Sequence, residues 1–233
     1  MAKEQEQNLN QIIRKDAKNC FVEALNDKFQ NGRLHLFFAT YDVSKPVKQR
    51  QTNKINIYLP IEEVTELCRQ LSSGEFRYML NKRKENKDNT PLYESLGGTS
   101  AKRLRALGNE RKDKKSLSRM AGILAGQKSD ILFVAQSGPG EENDKGLIVP
   151  KYGGQPENKV IVSMTFEAFS ELLLVSKTHY EAWLTGWYLH RNAVMQAGRQ
   201  GTSQSPRKSS PRAVEEPVDE EYGDEYDEYD VVA

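Results

Sequence analysis

Alternation of apolar and polar side chains marks short segments of this chain as strands. Residues 54–59 alternate strictly, with three aliphatic side chains on one face and Lys, Asn and Tyr on the other. Residues 34–43 form a longer apolar stretch, and residues 130–137 are its counterpart farther along the chain. A period of two is the pattern of a half-buried strand, so these segments predict sheets with one face in the core.

The strand at residues 54–59 belongs to an internal repeat. Residues 53–67 and 158–172 share five identical positions at an offset of 105, and most other positions are like for like. The identical pairs are Asn53/Asn158, Lys54/Lys159, Glu62/Glu167, Glu66/Glu171 and Leu67/Leu172. We interpret the similarity as a duplication of a strand that turns directly into a helix. Chance similarity between two amphipathic junctions is the alternative.

Both copies carry a helix-start signal after the strand. Pro60 suits the first turn of a helix, and Thr165 is a capping residue. Glutamates follow in both copies and complement the positive end of the helix dipole. The second helix is long, because aromatic and aliphatic side chains recur at helical spacing from Phe166 to Tyr188. Such a stripe is typical of a core or of an oligomer contact. Gly198 and the Gly-Arg-Gln-Gly sequence that it begins mark the end of this helix.

These elements predict an α+β protein with two repeated antiparallel β-sheet units, each followed by a helix. The units span residues 30–80 and 128–195 of a folded domain at 1–198, with a basic insertion at 81–119 between them. In the second unit, Ser137–Gly140 is a turn signal. An OB-fold-like barrel with added helices is the alternative architecture.

The charge of the chain is segregated. The formal net charge is +1, but residues 213–233 hold ten acids and no base, so residues 1–212 carry a net charge of +11. Residues 77–119 alone hold 13 bases and five acids, and Gly97-Gly98 in their middle predicts a mobile loop. A basic body with an acidic tail indicates nucleic acid or another anionic surface as a partner.

The end of the chain has the composition of unfolded segments. Residues 199–212 are rich in Gly, Ser, Gln and Pro, and they predict a flexible linker. The acidic tail, residues 213–233, is predicted to be disordered.

Motifs for catalysis and for metal binding are missing from the sequence. It has no Walker-type loop, no Gly-x-Ser-x-Gly elbow and no cluster of Cys and His. We therefore predict no catalytic residue, no metal site and no cofactor, while a Mg²⁺-dependent nuclease built from scattered carboxylates stays open. No apolar run is long enough for a bilayer and no secretory signal is present. Cys20 and Cys68 fit free thiols in a cytoplasmic protein.

One face of the strand from Arg33 to Tyr41 mixes cations with flat rings. Similar residues lie on the corresponding face of the strand at 54–59, and the loop between the two strands is basic. Bases of a single strand stack on such rings while cations follow the phosphates, whereas a duplex hides its bases. Rings that face a second layer of structure are the alternative. The predicted nucleic-acid contacts are Arg33, His35, Phe37, Tyr41, Lys45, Lys48, Arg50, Lys54, Tyr58, Lys82, Arg83, Lys84, Lys102, Arg103, Arg105, Arg111, Lys112, Lys114 and Lys115.

The acidic tail interleaves tyrosines with carboxylates and finishes on a short apolar tip. In composition and placement it resembles the tails of bacterial and phage single-stranded DNA-binding proteins, which recruit other proteins and compete with DNA for the basic groove. It departs from the bacterial type, which ends in Pro-Phe. A tail that only keeps a basic protein in solution is the alternative. The resemblance implies partner contacts by Tyr222, Tyr226, Tyr229, Asp230, Val231 and Val232.

The duplicated arrangement of strands followed by a helix resembles the Whirly family. Its members bind single-stranded DNA on β-sheets and assemble through their helices. The resemblance implies that the C-terminal aromatic helix makes a homo-oligomer contact. It covers the two units at the level of architecture; the plant members' Lys-Gly-Lys-Ala-Ala-Leu motif is absent, so no residue role is carried over.

Together these features predict a cytoplasmic, non-catalytic single-stranded DNA-binding protein with little sequence preference. Its role would lie in replication, recombination or conjugation, with the basic insertion closing over the strand and the tail recruiting replication or recombination proteins. An RNA-binding protein on the same scaffold is one alternative. A protein-interaction adaptor that docks through the aromatic helix is another.

Overall fold

A computed structural model describes residues 9–153 and 155–201, apart from the side chains of Lys48 and of residues 196–201. The chain divides into two units between Tyr180 and Glu181. All of the strands named below belong to the first unit. The described part of the second unit is helical.

The first sheet, called sheet A here, is an antiparallel meander of four strands in chain order. The hairpin between its first two strands turns within two residues, because Asn19 takes the left-handed conformation (φ 61°) that asparagine tolerates. Single 3₁₀ turns lie at Phe29–Asn31 and Val47–Gln49. The strands are β1 Gln11–Ala17, β2 Cys20–Leu25, β3 Arg33–Tyr41 and β4 Gln51–Pro60.

The second sheet, called sheet B here, has five strands and is also antiparallel. Its strands are β5 Tyr93–Thr99, β6 Ser116–Ala125, β7 Ile131–Glu142, β8 Ile148–Pro150 and β9 Asn158–Met164. The central strand β7 has 12 residues and pairs with three strands. β6 lies along one side of it, while β9 and β8 pair with its first and last parts.

Two helices lie between sheets A and B along the chain, a third between β5 and β6, and the fourth after sheet B. They are α1 Ile61–Ser73, α2 Glu75–Glu85, α3 Ala101–Ala106 and α4 Phe166–Gly201. As predicted, α1 starts directly after Pro60 and α4 directly after Thr165. The Thr165 hydroxyl accepts a hydrogen bond from the Ala168 N–H at 3.1 Å, which caps α4. None of these helices, as far as the structure describes them, is long and apolar enough to cross a membrane.

Four buried rings join the two sheets and the helices into one core. Phe38 of sheet A meets Phe133 of sheet B edge-on, with ring centroids 5.0 Å apart. Phe169 of α4 contacts Phe133 at 5.7 Å, and Phe76 of α2 stacks on Phe169 at 5.5 Å. All four are fully buried, and each buried ring contributes about 1.5–3 kcal/mol. The core therefore lies between the sheets.

The predicted fold class is confirmed. The chain is an α+β protein with two antiparallel sheets, and each sheet is followed by a helix. The repeated sequence maps onto β4 and α1 in one half and onto β9 and α4 in the other. The aliphatic positions of both strands are buried, which is the shared role that the like-for-like substitutions preserve.

The strands extend well outside the predicted units at 30–80 and 128–195. Sheet A already begins with β1 and β2, and sheet B begins with β5 and β6. The stretch at 81–119 is therefore not an insertion, since it supplies β5, α3 and the start of β6. The Gly97-Gly98 pair lies inside β5, where β6 hydrogen-bonds along the whole strand, and not in a mobile loop.

The predicted turn at Ser137–Gly140 is wrong. These residues belong to β7 and pair with β6. Their glycines serve close packing, because a Cβ on Gly140 would lie 2.7 Å from the Ile148 side chain. The chain turns later, where the Asn143 N–H donates to the Leu147 carbonyl and Gly146 takes a φ of 76°.

The last described residue of α4, Gly201, lies in the predicted Gly-Arg-Gln-Gly stop. The first residues of the predicted linker at 199–212 are therefore helical. The rest of that linker and the acidic tail at 213–233 lie outside the described residues.

The close approach at Gly98 gives a test of this packing. Gly98→Ala should lower the free energy of unfolding by about 1–3 kcal/mol, because its Cβ would lie 2.2 Å from the Leu117 carbonyl oxygen. Gly97→Ala is the matched control, since a Cβ there meets nothing within 4 Å. Urea unfolding of both variants measures the difference, and equal stabilities would contradict the packing of β5 described above.

Candidate nucleic-acid interface

Sheet A has an outer face that points away from the core. Because Leu34, Leu36 and Phe38 are buried in the core, the alternating residues of β3 lie on the opposite face. The strand register places their partners on β1, β2 and β4. The outer face of sheet A consists of Arg14, Asp16, Phe21, Glu23, Leu25, Arg33, His35, Phe37, Ala39, Tyr41, Lys54, Asn56 and Tyr58.

Three half-buried rings lie on this outer face, as predicted from the sequence. They are Phe37 and Tyr41 on β3 and Tyr58 on β4. Phe21 on β2 supports two of them, with ring centroids 5.9 Å from Phe37 and 6.3 Å from Tyr41. Phe21 itself is only 2% exposed, so its buried ring packs beneath the other two.

A cation separates the rings along the strand direction. Phe37 and Tyr41 are four residues apart on β3, which is about 13 Å at the rise of a strand. Lys54 pairs with Ala39 in the gap between them, and its side chain is exposed. The outer face therefore offers two ring surfaces with a cation between them, the two kinds of group that single-stranded nucleic acid contacts.

His35 supports the face and is not an open part of it. Its side chain is 8% exposed, its Nδ1 lies 2.9 Å from Asp27 Oδ1, and its Nε2 lies 2.9 Å from Asn56 Oδ1. Its ring packs against Tyr58 at 4.7 Å. Burial acts to raise the pKa of Asp27, but the hydrogen bond and charge of His35 outweigh it, and that pKa is lowered. The sequence predicted a direct contact for His35, whereas its geometry orients Tyr58.

Arg14 belongs to the face and was missed by sequence reasoning. Its guanidinium lies 3.7 Å from the centroid of the Phe21 ring. It is paired with Asp16 at 2.7 Å and with Glu23 at 3.0 Å. Burial raises the pKa of Glu23, although Arg14 works against that shift. The apolar run at residues 20–25 is the sequence signal for β2, the partner strand of β1, and it lies outside the predicted unit at 30–80.

A basic rim lies at the end of sheet A next to Tyr41. The β1–β2 turn and the β3–β4 loop meet here, since the Tyr41 N–H donates to the Asn19 carbonyl at 2.9 Å. Lys18 on the turn and Lys45 and Arg50 in the loop are all exposed. We call these three residues the basic rim. Lys48 lies in the same loop, but its side chain is outside the described part of the chain, and Lys18 was not predicted.

The remaining predicted cations lie elsewhere. On α2, Lys84 pairs with Asp130 at 2.7 Å, Arg83 pairs with Asp88, and Lys82 is exposed. The others belong to α3 and the loop after it, called segment 100–115 here, which packs on β6. Segment 100–115 is not one of the elements that form the outer face of sheet A. The structure therefore brings together only part of the predicted set.

Sheet B lacks the rings at the equivalent positions. The repeat offset and the strand register match Phe37 and Asn56 of sheet A with Val134 and Ile161 of sheet B. Tyr58 is matched by Ser163 in the same way. The outer face of sheet B is aliphatic there, so the two halves of the repeat have different surfaces.

No group of three or more His, Cys, Asp or Glu side chains among the described residues is placed to hold a metal ion. Cys20 and Cys68 are buried thiols outside any disulfide, and burial raises the pKa of the Cys20 thiol.

Comparisons with known proteins leave the site to be judged from its geometry. No protein-family model matches the chain, and neither a curated protein nor a solved structure does.

The role of His35 can be tested by its effect on stability. His35→Leu should lower the free energy of unfolding by about 1–3 kcal/mol, because the half-buried carboxylate of Asp27 loses its partner. His179→Leu is the control, since His179 is exposed on α4, and its effect should stay within about 0.5 kcal/mol. Thermal unfolding distinguishes them; a His35 variant as stable as the control would mean that His35 is not a support.

Proposed function

We propose that the protein binds single-stranded nucleic acid, with DNA as the preferred ligand, on the outer face of sheet A. The observation that supports this most directly is the placing of Phe37, Tyr41 and Tyr58 on two neighbouring strands, with Lys54 between them. Bases would stack on the rings, and phosphates would meet Lys54 and the basic rim. Binding would occur without catalysis and with little sequence preference, as replication, recombination or conjugation requires.

The energetics favour a single strand over a duplex on this face. Stacking on an aromatic ring is worth about 1–3 kcal/mol per base, and it needs bases that are not already paired. A duplex would offer sheet A only its backbone, and the rings would have no partner. Since rings accept the flat face of any base, the surface fits a ligand of mixed sequence.

The divergence of the two sheets gives independent support. A ring kept only for packing would have a counterpart in the other half of the repeat, where the same strand junction is built. Instead Val134, Ile161 and Ser163 take those positions, so the strand-helix junction folds without rings. This difference supports a role for Phe37 and Tyr58 beyond the packing of the repeat.

The acidic tail has two proposed roles in this scheme. Its ten acids would compete with DNA for the cations of the body when DNA is scarce. Once released by DNA, its tyrosines and apolar tip would recruit replication or recombination proteins.

The second unit favours an additional role in protein contact. Large apolar side chains of α4 are exposed there, among them Trp187 at 41%, Tyr188 at 50% and Leu189 at 67%. We propose that this part of α4 makes protein contacts, with a homo-oligomer as the simplest case. If docking were the main function instead, nucleic-acid binding would be weak and insensitive to salt.

Replacing the rings tests the proposed binding face. Phe37→Leu and Tyr41→Leu should each weaken binding to a single-stranded DNA oligomer about 5-fold to 150-fold, because each loses one stacked base. Tyr78→Leu is the matched control, since Tyr78 is a ring on α2 with 68% exposure. Fluorescence anisotropy with labelled DNA measures the affinities, and circular dichroism checks that the variants fold.

One result would contradict the proposed binding on sheet A. If the sheet A variants bind as tightly as the Tyr78→Leu control, the rings of sheet A do not stack bases. Competition with an RNA oligomer then separates the two nucleic acids, and Mg²⁺-dependent loss of a labelled strand would reveal a nuclease.

Removing the tail tests its competition with DNA. A chain ending at Arg212 should bind single-stranded DNA more tightly at low salt, because ten competing negative charges are gone. The difference should shrink as salt rises, since screening weakens the competition. Titrations of both chains at two salt concentrations provide the measurement. Unchanged affinity at low salt would remove competition and leave recruitment as the role of the tail.

A further inference from the structure

Segment 100–115 carries a concentrated positive charge that the binding face on sheet A does not use. It holds seven bases and two acids in 16 residues. Two of its three arginines are paired with carboxylates, since Arg105 pairs with Glu110 at 2.9 Å and Arg111 pairs with Glu157 at 2.7 Å. Its lysines have no ion pair within the described part of the chain. They are Lys102, Lys112, Lys114 and Lys115, and all are exposed.

Three of these lysines lie on one tight turn that Arg111 fixes in place. The Lys114 N–H donates to the Arg111 carbonyl at 2.9 Å, and the Lys115 N–H donates to Asp113 Oδ1 at 3.1 Å. Arg111 donates to both oxygens of Asp113 and to both oxygens of Glu157. Both carboxylates are thereby occupied by the arginine. We call residues 111–115 the lysine turn.

The backbone of the lysine turn is strained at a lysine. Lys114 has a φ of 57°, in the left-handed region that favours glycine or asparagine. The hydrogen bonds of the turn hold Lys114 in this conformation. Lysine thus occupies a position where glycine would fit the backbone better.

The composition of the segment selects the type of ligand. Residues 100–115 contain no aromatic side chain, so they offer nothing on which an unpaired base can stack. Lysines act as point charges and suit phosphates spaced along a backbone. A duplex presents just such a backbone while its bases are hidden. This is the opposite of what sheet A offers.

We propose that the lysine turn is a second, separate nucleic-acid site that binds the phosphate backbone of duplex DNA. A molecule with this site and the ring face of sheet A takes a duplex and a single strand as different ligands. The class of substrate that engages both is a duplex with a single-stranded extension. The duplex site stands on the geometry of the lysine turn alone; the preference for such junctions also rests on the proposed function of sheet A.

The test uses the full chain and three labelled DNA probes. They are a single strand, a blunt duplex and a duplex with a single-stranded extension. Lys112→Gln/Lys115→Gln should weaken binding of the duplex at least about tenfold at 0.1 M salt, and should reduce the slope of log affinity against log salt by about 1.8. Binding of the single strand should change less than twofold. Lys87→Gln/Lys128→Gln removes two exposed lysines elsewhere and should leave duplex binding unchanged.

A further variant separates charge from structure. Lys114→Gly should raise the melting temperature, because glycine relieves the strained backbone, and should still weaken duplex binding severalfold. A variant that is more stable yet binds less well cannot be explained by misfolding.

The possible results distinguish the duplex site from the alternatives. Duplex affinity that matches the Lys87→Gln/Lys128→Gln control overturns the duplex site. Equal losses for single strand and duplex would place the lysine turn in the single-strand site, which also overturns the proposal. Loss of binding to anionic lipid vesicles without loss of duplex binding would assign the turn to membranes instead. Failure of the Phe37→Leu and Tyr41→Leu variants to affect single-strand binding would contradict the function of sheet A and leave the duplex site standing.

Discussion

The contact between Phe38 and Phe133 fixes which surfaces the protein can offer. These rings lie on the facing sides of sheets A and B, and Phe169 at the start of α4 closes against them. Because side chains alternate along a strand, burying these positions forces the next residues of β3 outward. Phe37 and Tyr41 are therefore placed on the outer face by the same register that buries Phe38. A shift of one residue would exchange the core and the ring face.

The two halves of the repeat share their buried residues and differ on their outer faces. Both strand-helix junctions bury equivalent aliphatic residues, and both contribute to the core between the sheets. In sheet B, close packing limits which side chains fit. Ile148 lies against Gly98 and Gly140 and leaves no room for a side chain at either glycine. Sheet A has no such constraint on its outer face and carries rings and cations there. The proposed binding face therefore depends on residues in which the two halves of the repeat differ, and the core depends on residues that they share.

The sequence predicts the elements whose pattern is local, and it misses those that depend on neighbours. β4 with α1, and β9 with α4, were found because strict alternation and a helix-start residue occur together. β2 was missed because both of its faces are buried, Phe21 lying under Arg14, Phe37 and Tyr41. β5 was missed because Gly97-Gly98 looks like a loop until Ile148 is seen against it. On the site, alternation predicted the shared face of Phe37 and Tyr58. Arg14, Lys18 and the support role of His35 required the β1–β2 hairpin and the position of Asp27.

The distribution of ion pairs explains why net charge is a poor guide to this surface. Arg111 is paired with both Asp113 and Glu157, so this group adds no positive charge to the surface, whereas an exposed lysine without an ion-pair partner attracts anions. The fold assigns its carboxylates mainly to arginines, as at Arg14 and Arg111, and leaves many of the lysines open. Arginine suits an ion pair within the protein because its planar guanidinium matches a carboxylate. Lysine, a point charge on a flexible side chain, suits a phosphate whose position varies. The ion pairs of the folded chain therefore determine which cations remain without a partner. A count of Lys and Arg in the sequence overestimates the available positive charge of some segments and underestimates that of others.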